Sequence, residues 1–224
     1  MISAERLSSI ACWSHDLDER AFERARNGIV ERSYAKDSYI CHRGDHLNAW
    51  TGVSSGLIKL GTTSISGKSV TLAGLRTGCW FGEGTVLKDE ARQYDLMALR
   101  ETKLAMMGRP TFMWLFENSV TFNSFLVQQL NERLGQFIAL VEYDRMLDAP
   151  ARLARNIGWL FNPVLYPDTT SCIEITQEEL GLLSGLSRQA TNKNLKVLED
   201  MGLLSVMHGK LTVVDRKQLM NFGK

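Results

Sequence analysis

The 224-residue chain is 44% hydrophobic and 23% charged with four prolines, which excludes collagen-like, low-complexity and wholly disordered chains and suits two modest domains. A net charge of +1 excludes a polycation that binds nucleic acid indiscriminately, so any such contact must be local. There is no apolar run of about 18 residues, the first twenty residues carry acids where a secretory signal has its apolar region, and Cys12, Cys41, Cys79 and Cys172 form no C-x-x-C pair; the expectation is a cytoplasmic protein with reduced thiols, no membrane partner, no metal and no other cofactor.

Nine of the eighteen glycines fall between residues 44 and 84, among the short alternating or apolar segments SGLIKLGTT, KSVTLAGL and LMALRETKLAMM. Glycine supplies the positive φ of tight turns between strands, so residues 29–109 read as an antiparallel β-barrel or roll. From residue 111 to 145 the period changes: Leu126, Leu130, Leu134, Phe137 and Val141 recur at steps of four, four, three and four with polar residues between them. This predicts one amphipathic helix of about 30 residues, longer than globular helices usually run, whose apolar line suggests a coiled-coil-like dimer seam. The alternative is a helix packed on its own barrel. Asp148-Ala149-Pro150 marks the next boundary, with proline early in a new helix where its missing N–H costs nothing. From residue 149 onward nine Lys/Arg stand against seven Asp/Glu, so this section is +2 and the first 148 residues are −1, a sign that favours DNA contact at the C-terminal end.

Thr176-Gln177-Glu178-Glu179 reads as a capping box that starts a helix. Leu180 and Leu183 form its apolar edge, Gly185 sits at the turn, and Ser187 can cap a second helix, SRQATNKNLKVLEDMG, with Ala190, Leu195 and Leu198 facing inward. Two short helices joined by a tight glycine-containing turn form the DNA-binding helix-turn-helix signature. The second helix presents Arg188, Gln189, Asn192, Lys193 and Lys196; arginine or lysine suits guanine O6/N7, and glutamine or asparagine suits adenine N6/N7. LLSVMHGKLTVV then reads as a hairpin wing turning at His208-Gly209-Lys210, with Lys210 in reach of phosphate. The bland alternative is a solvated helical hairpin with routine surface charge.

With these segments in place, nearly the whole chain resembles the cyclic-AMP receptor and fumarate-nitrate regulator (Crp/Fnr) superfamily of bacterial transcription factors. The resemblance rests on the glycine-punctuated roll, the G-x-x-F-G-E turn Gly78-Cys79-Trp80-Phe81-Gly82-Glu83, the long central helix, LDAPARLA, and ITQEELGLLSGLSRQATNKNLKVLEDMGLL. It implies an α+β fold: an effector-sensing β-roll with N-terminal helices over 1–117, a dimerisation helix and hinge over 118–147, and a winged helix-turn-helix over 148–224. The implied partners are double-stranded DNA, read as a pseudo-palindrome, a second copy of the chain, and RNA polymerase. Thr176, Ser187, Arg188, Gln189, Asn192, Lys193 and Lys210 are the expected DNA-contacting set.

The effector pocket departs from the cyclic-nucleotide pattern. Glu83 stands where such members hold the ribose, but Tyr94-Asp95-Leu96 occupies the stretch whose arginine pairs with the cyclic phosphate, and Asp95 there would repel an anion. Arg92, two residues away, is a candidate substitute. Phe137-Ile138 replaces a Thr-Ser pair against the purine. These changes point away from cyclic AMP and towards an apolar or aromatic effector walled by Phe81, Tyr94, Phe137 and Ile138, or towards no small ligand at all. Only Cys12 lies near the N-terminus, too few thiols for the iron–sulfur branch, and His42 and His46 read as surface histidines. Without a nucleophile–base set, P-loop or G-x-S-x-G, no enzyme is expected. The competing readings are a cyclic-nucleotide-responsive regulator and a nucleotide-sensing subunit that no longer binds DNA.

Overall fold

The computed structural model describes residues 1–67, 69–167, 171–207 and 209–223, and for Asp144 the backbone alone; the expected wing residue His208 lies outside the described residues. The chain opens with α1 (Ala4–Ile10) and α2 (Glu19–Gly28), capped by the Ser3 and Asp18 side chains. Eight strands follow: β1 (Ile29–Tyr34), β2 (Tyr39–Cys41), β3 (Ala49–Ser55), β4 (Leu57–Thr63), β5 (Ser69–Arg76), β6 (Trp80–Phe81), β7 (Asp95–Ala98) and β8 (Thr102–Gly108), with α3 (Glu83–Lys88) between β6 and β7. They form two four-stranded antiparallel sheets, ordered β1-β8-β3-β6 and β2-β7-β4-β5. Val53, Leu60, Leu75, Leu96, Leu104 and Met106 make the core between them, as expected when inward side chains alternate along each strand.

The expected single helix over 111–145 is two helices, α4 (Arg109–Asn118) and α5 (Val120–Met146). Ser119 breaks them apart. It is extended (φ −126°, ψ 109°), its N–H closes α4 on the Leu115 carbonyl, and its hydroxyl accepts from the Phe122 N–H to cap α5; serine is a better N-cap than helix-interior residue. An aromatic cluster joins the N-terminal helices, the roll and both helices: Trp13, Trp50, Trp80, Phe112 and Phe122 have ring centroids 4.4–5.6 Å apart, and the Trp80 indole N–H donates to the Ile10 carbonyl at 3.0 Å.

Beyond α5 lie α6 (Ala149–Trp159), capped by Asp148 with Pro150 in its first turn, then β9 (Cys172–Glu174), α7 (Gln177–Ser184), α8 (Arg188–Asp200), β10 (Leu204–Met207), β11 (Lys210–Val213) and α9 (Arg216–Asn221). The small sheet runs β10-β11-β9, so the wing hairpin carries a third strand that the sequence reading left out. Leu153, Ala154, Ile157, Leu180, Leu195, Leu198, Leu211 and Leu219 form the core of this half, and Leu57 and Leu99 of the roll belong to the same cluster.

One ion-pair group pins α1 to the roll. Arg6 grips the Glu31 carboxylate at 2.7 and 3.1 Å, and Lys103 approaches it at 3.2 Å. Burial alone would raise the Glu31 carboxyl, but these cations outweigh it and lower it to about 2. A carboxylate depressed in the folded state stabilises fully above its unfolded value, about 4.3, and loses that contribution as pH falls towards the folded one. Between pH 5 and pH 2, Glu31 is therefore expected to account for about 1–3 kcal/mol of lost stability. Urea midpoints at both pH values should show a smaller acid loss for Glu31→Gln than for wild type, and an identical loss would refute the assignment.

Candidate nucleic-acid interface and effector pocket

The helix-turn-helix is assembled by short-range chemistry. The Thr176 hydroxyl accepts from the Glu179 N–H at 3.1 Å while the Glu179 carboxylate accepts from the Thr176 N–H at 2.7 Å, closing the capping box at the start of α7. Gly185 ends α7 in the left-handed region at φ +64°, where a Cβ would be strained. Two residues on, the Ser187 hydroxyl accepts from the Ala190 N–H at 3.2 Å and starts α8. Gly181 lets the helices approach: a Cβ there would lie 3.0 Å from both the Leu186 carbonyl and the Thr191 hydroxyl.

On α8, Thr191, Asn194, Leu195 and Leu198 are buried and Ala190 is half-buried, whereas Arg188, Gln189, Asn192, Lys193 and Lys196 are all exposed. The base-reading residue types therefore share the solvent side. Lys196 pairs with Asp200 at 3.5 Å and Lys210 of the wing with Glu174 at 3.5 Å; neither Arg188 nor Lys193 has an ion-pair partner among the described residues. Exposed pairs such as Lys210–Glu174 contribute little, so they do not prevent a lysine from turning to a phosphate. Thr176 is exposed at the α7 N-terminus, its hydroxyl engaged in the capping box.

The pocket region differs from the sequence expectation in several places. Phe81 is buried in the roll core, with Tyr94 half-buried beside it. Glu83 is buried and accepts from the Gln129 side-chain amide at 3.3 Å. Arg92 is fully buried: Nη2 donates to the Leu47 and Ala49 carbonyls at 3.2 and 2.7 Å, and Nη1 donates to the Tyr94 hydroxyl at 2.9 Å. Its guanidinium lies against the Gly82 backbone, so closely that a Cβ on Gly82 would collide with it, and Gly82 has φ +91° besides. Asp95 was expected to face an incoming phosphate. Instead it accepts from the Arg43 N–H at 2.8 Å and lies 3.8 Å from His42 Nδ1, holding the turn around residues 41–45.

Two further expectations are corrected on α5. Phe137 and Ile138 are not packed with Phe81 and Tyr94 in the roll core of this chain; both are exposed, Ile138 at 62%, and Phe137 borders a groove against β5. Leu126, expected at the dimer seam, is 2% exposed and packs among Trp13, Trp50 and Phe122. The roll-facing line runs through Phe122, Leu126, Gln129 and Arg133, with Arg133 donating to the Cys79 sulfur at 2.6 Å and to the buried Gln136 at 2.9 Å, and beyond it the buried Tyr143 ring lies under Arg155 of α6. Leu130, Leu134, Phe137 and Val141 form a second line, left exposed. A helix of this length carries two apolar or semi-polar stripes, and a reading anchored on the leucines merges them at Leu126. The recurrence of Gln129, Arg133 and Gln136 at steps of four and three was the signal for the inner stripe.

Burial raises the Cys41 thiol to about 11 and pushes the Cys79 thiol up as well, so neither is a ready thiolate. Among the described residues, no three His, Cys, Asp or Glu side chains converge as a metal site, and no helix is long and apolar enough to cross a membrane.

Comparison with known proteins matches two segments of the chain. Residues 31–119 match the cyclic nucleotide-binding domain and residues 151–222 the Crp-like helix-turn-helix domain. The chain is 26% identical over 185 residues to the cAMP-activated global transcriptional regulator CRP of Haemophilus influenzae, covering 81% of this chain and 82% of that protein. It is 26% identical over 199 residues to the cyclic AMP receptor protein of Thermus thermophilus, covering 89% and 90%. In fold it is similar to FixK2 from Bradyrhizobium japonicum, with a TM-score of 0.70 at 16% identity over 88% of this chain and 98% of that one. With both modules matched in order along one chain, on a roll, long helix and winged helix-turn-helix, this protein belongs to the Crp/Fnr superfamily of DNA-binding transcription regulators, a family of regulators and not of enzymes.

Proposed function

We propose that the chain acts as a homodimer on a pseudo-palindromic operator, each protomer placing α8 in the major groove of one half-site, with RNA polymerase as a further partner. Residues 1–117 serve as the sensing module, 118–147 as the dimerisation helix and hinge, and 148–224 as the DNA-binding module. The observation that carries this reading is the exposure of Arg188, Gln189, Asn192, Lys193 and Lys196 together on the second helix of a capped helix-turn-helix. Such a surface combines guanine-reading and adenine-reading groups, and the wing adds Lys210 for the backbone. The exposed line Leu130, Leu134, Phe137 and Val141 supplies the seam between protomers. The relatives' names speak of cyclic AMP; in this chain Arg92 is engaged with backbone carbonyls and Tyr94, and the effector, if the roll takes one, is apolar or aromatic.

Fluorescence anisotropy with operator and random duplexes tests the interface. Arg188→Ala is expected to weaken operator binding by about 1–3 kcal/mol and relax discrimination at one base pair, whereas Lys210→Ala weakens all sequences alike and lowers the salt slope by about one. Equal loss on operator and random DNA for Arg188→Ala would remove that residue from base reading. A wild-type chain that retains no genomic fragment at low salt would instead favour a sensing subunit without DNA binding.

A further inference from the structure

Strand β7 has its two ends in different parts of the molecule. It begins immediately after Tyr94, whose hydroxyl receives Arg92, and it leads into Leu99 and Arg100, which are joined to the helix-turn-helix. Leu99 is 2% exposed and packs in the cluster that holds Leu153, Ile157, Leu180 and Leu195. Its N–H donates to the Leu57 carbonyl at 2.9 Å, so the start of β4 is drawn into the same core. Arg100 forms a two-pronged pair with Glu179, Nε to Oε1 at 2.8 Å and Nη2 to Oε2 at 2.5 Å. That Oε2 also accepts from the Thr176 N–H and hydroxyl. One carboxylate therefore closes the capping box of α7 and anchors α7 to the roll. Burial would raise the Glu179 carboxyl, but Arg100 and the Thr176 N–H outweigh it and hold it below its ordinary value. A second tether lies along the same helix, where the Thr71 hydroxyl of β5 donates to the Leu182 carbonyl at 2.6 Å.

A paired strand resists compression and shear along its axis because its register is fixed by its neighbours. β7 is held on both sides, by β2 and by β4, so displacing its Tyr94 end moves its Arg100 end with it. We propose that β7 is the mechanical link between the effector pocket and the DNA-binding module, with the Arg100–Glu179 pair as the latch that fixes α7, and through it α8, to the sensing roll. This rests on the regulator function proposed above. The link takes its input from whatever moves Arg92 and Tyr94, and its output is the freedom of α7 to leave the roll. Bidentate arginine–carboxylate geometry makes the latch directional as well as attractive, so lysine in its place would retain the charge and lose the orientation.

Hydrogen–deuterium exchange on the full-length chain tests the link without needing an effector. In Arg100→Gln, amides of residues 177–184 are expected to exchange roughly tenfold faster while those of β3 and β8 keep wild-type rates, as for a local opening. Arg100→Lys should fall between the two. Tyr94→Ala, at the other end of the strand, should speed α7 exchange in the wild-type background and add nothing in the Arg100→Gln background, which is the signature of a shared path. Wild-type α7 rates in Arg100→Gln, or full additivity of the two substitutions, would overturn the link. Faster exchange throughout the chain would mean a folding defect in Arg100→Gln, and the Tyr94→Ala response at α7 then decides alone: faster exchange confined to α7 and β7 supports the link, and none overturns it. DNA binding is scored separately on the wild-type chain, where its absence would sink the regulator reading and not the strand's coupling.

Discussion

The double substitution Leu130→Glu, Leu134→Glu is expected to convert a dimer into folded monomers and to lower operator affinity by roughly 10²- to 10⁴-fold, the range lost when two linked contacts become one. The argument starts from the two stripes of α5. The inner stripe is satisfied within the chain: Leu126 is buried with the tryptophans, and Gln129 and Arg133 reach Glu83 and Cys79. The outer stripe is not, since Leu130 is 40% and Leu134 59% exposed. Leaving such side chains in water forfeits roughly 1.5–3 kcal/mol for each one that could be fully buried, and in the proposed dimer a second copy of the same helix across a two-fold axis would bury all of them at once. Glutamates at two successive seam positions would face their own symmetry mates, adding like-charge repulsion to lost burial. Because both side chains point away from the roll core, circular dichroism should show little change in fold. Sedimentation of the double variant as an intact dimer would place the interface elsewhere, and monomers with undiminished operator affinity would separate dimerisation from DNA binding.

Local signals in the sequence carried most of the architecture, and long-range contacts explain the rest. The capping box Thr176–Glu179, the turn glycine Gly185 and the Ser187 cap are all interactions within four residues, so their geometry follows from residue type and spacing alone. The roll was legible through its glycines for the same reason. What periodicity could not settle was the partner of each face of α5. Leu126 and Leu130 are one turn apart and chemically identical, yet one packs against Trp50 and the other is exposed, because the roll covers only part of the helix circumference. Asp95 shows the same limit in the pocket: its place in the chain is legible, but its direction is set by the Arg43 N–H of the neighbouring turn, from which it accepts. The Ser119 break was in principle readable, since Asn118-Ser119 is a capping pair inside an otherwise helical run.

Arg92 gives the second large effect. Arg92→Ala is expected to destabilise the chain by about 3–5 kcal/mol, because it strips hydrogen bonds from the buried Leu47 and Ala49 carbonyls and the Tyr94 hydroxyl at about 1–3 kcal/mol for each group left unsatisfied, with relaxation reducing the sum. The same geometry argues against a role in gripping a cyclic phosphate. A guanidinium offers two parallel N–H forks, Nε with Nη2 and Nη1 with Nη2, and both require Nη2. Here Nη2 already donates to two carbonyls at 2.7 and 3.2 Å. Freeing a fork would leave those carbonyls without their donor in the interior, while Gly82 closes the space against the guanidinium. Cyclic AMP is accordingly expected to produce no shift in melting temperature at concentrations up to about a millimolar, where a ligand of micromolar affinity for the native state would add roughly 4 kcal/mol by mass action. The two measurements belong together. If Arg92 held a phosphate, wild type would gain stability with cyclic AMP and Arg92→Ala would lose that gain; if it braces the Leu47–Ala49 segment, Arg92→Ala melts well below wild type and the difference is the same with or without the nucleotide.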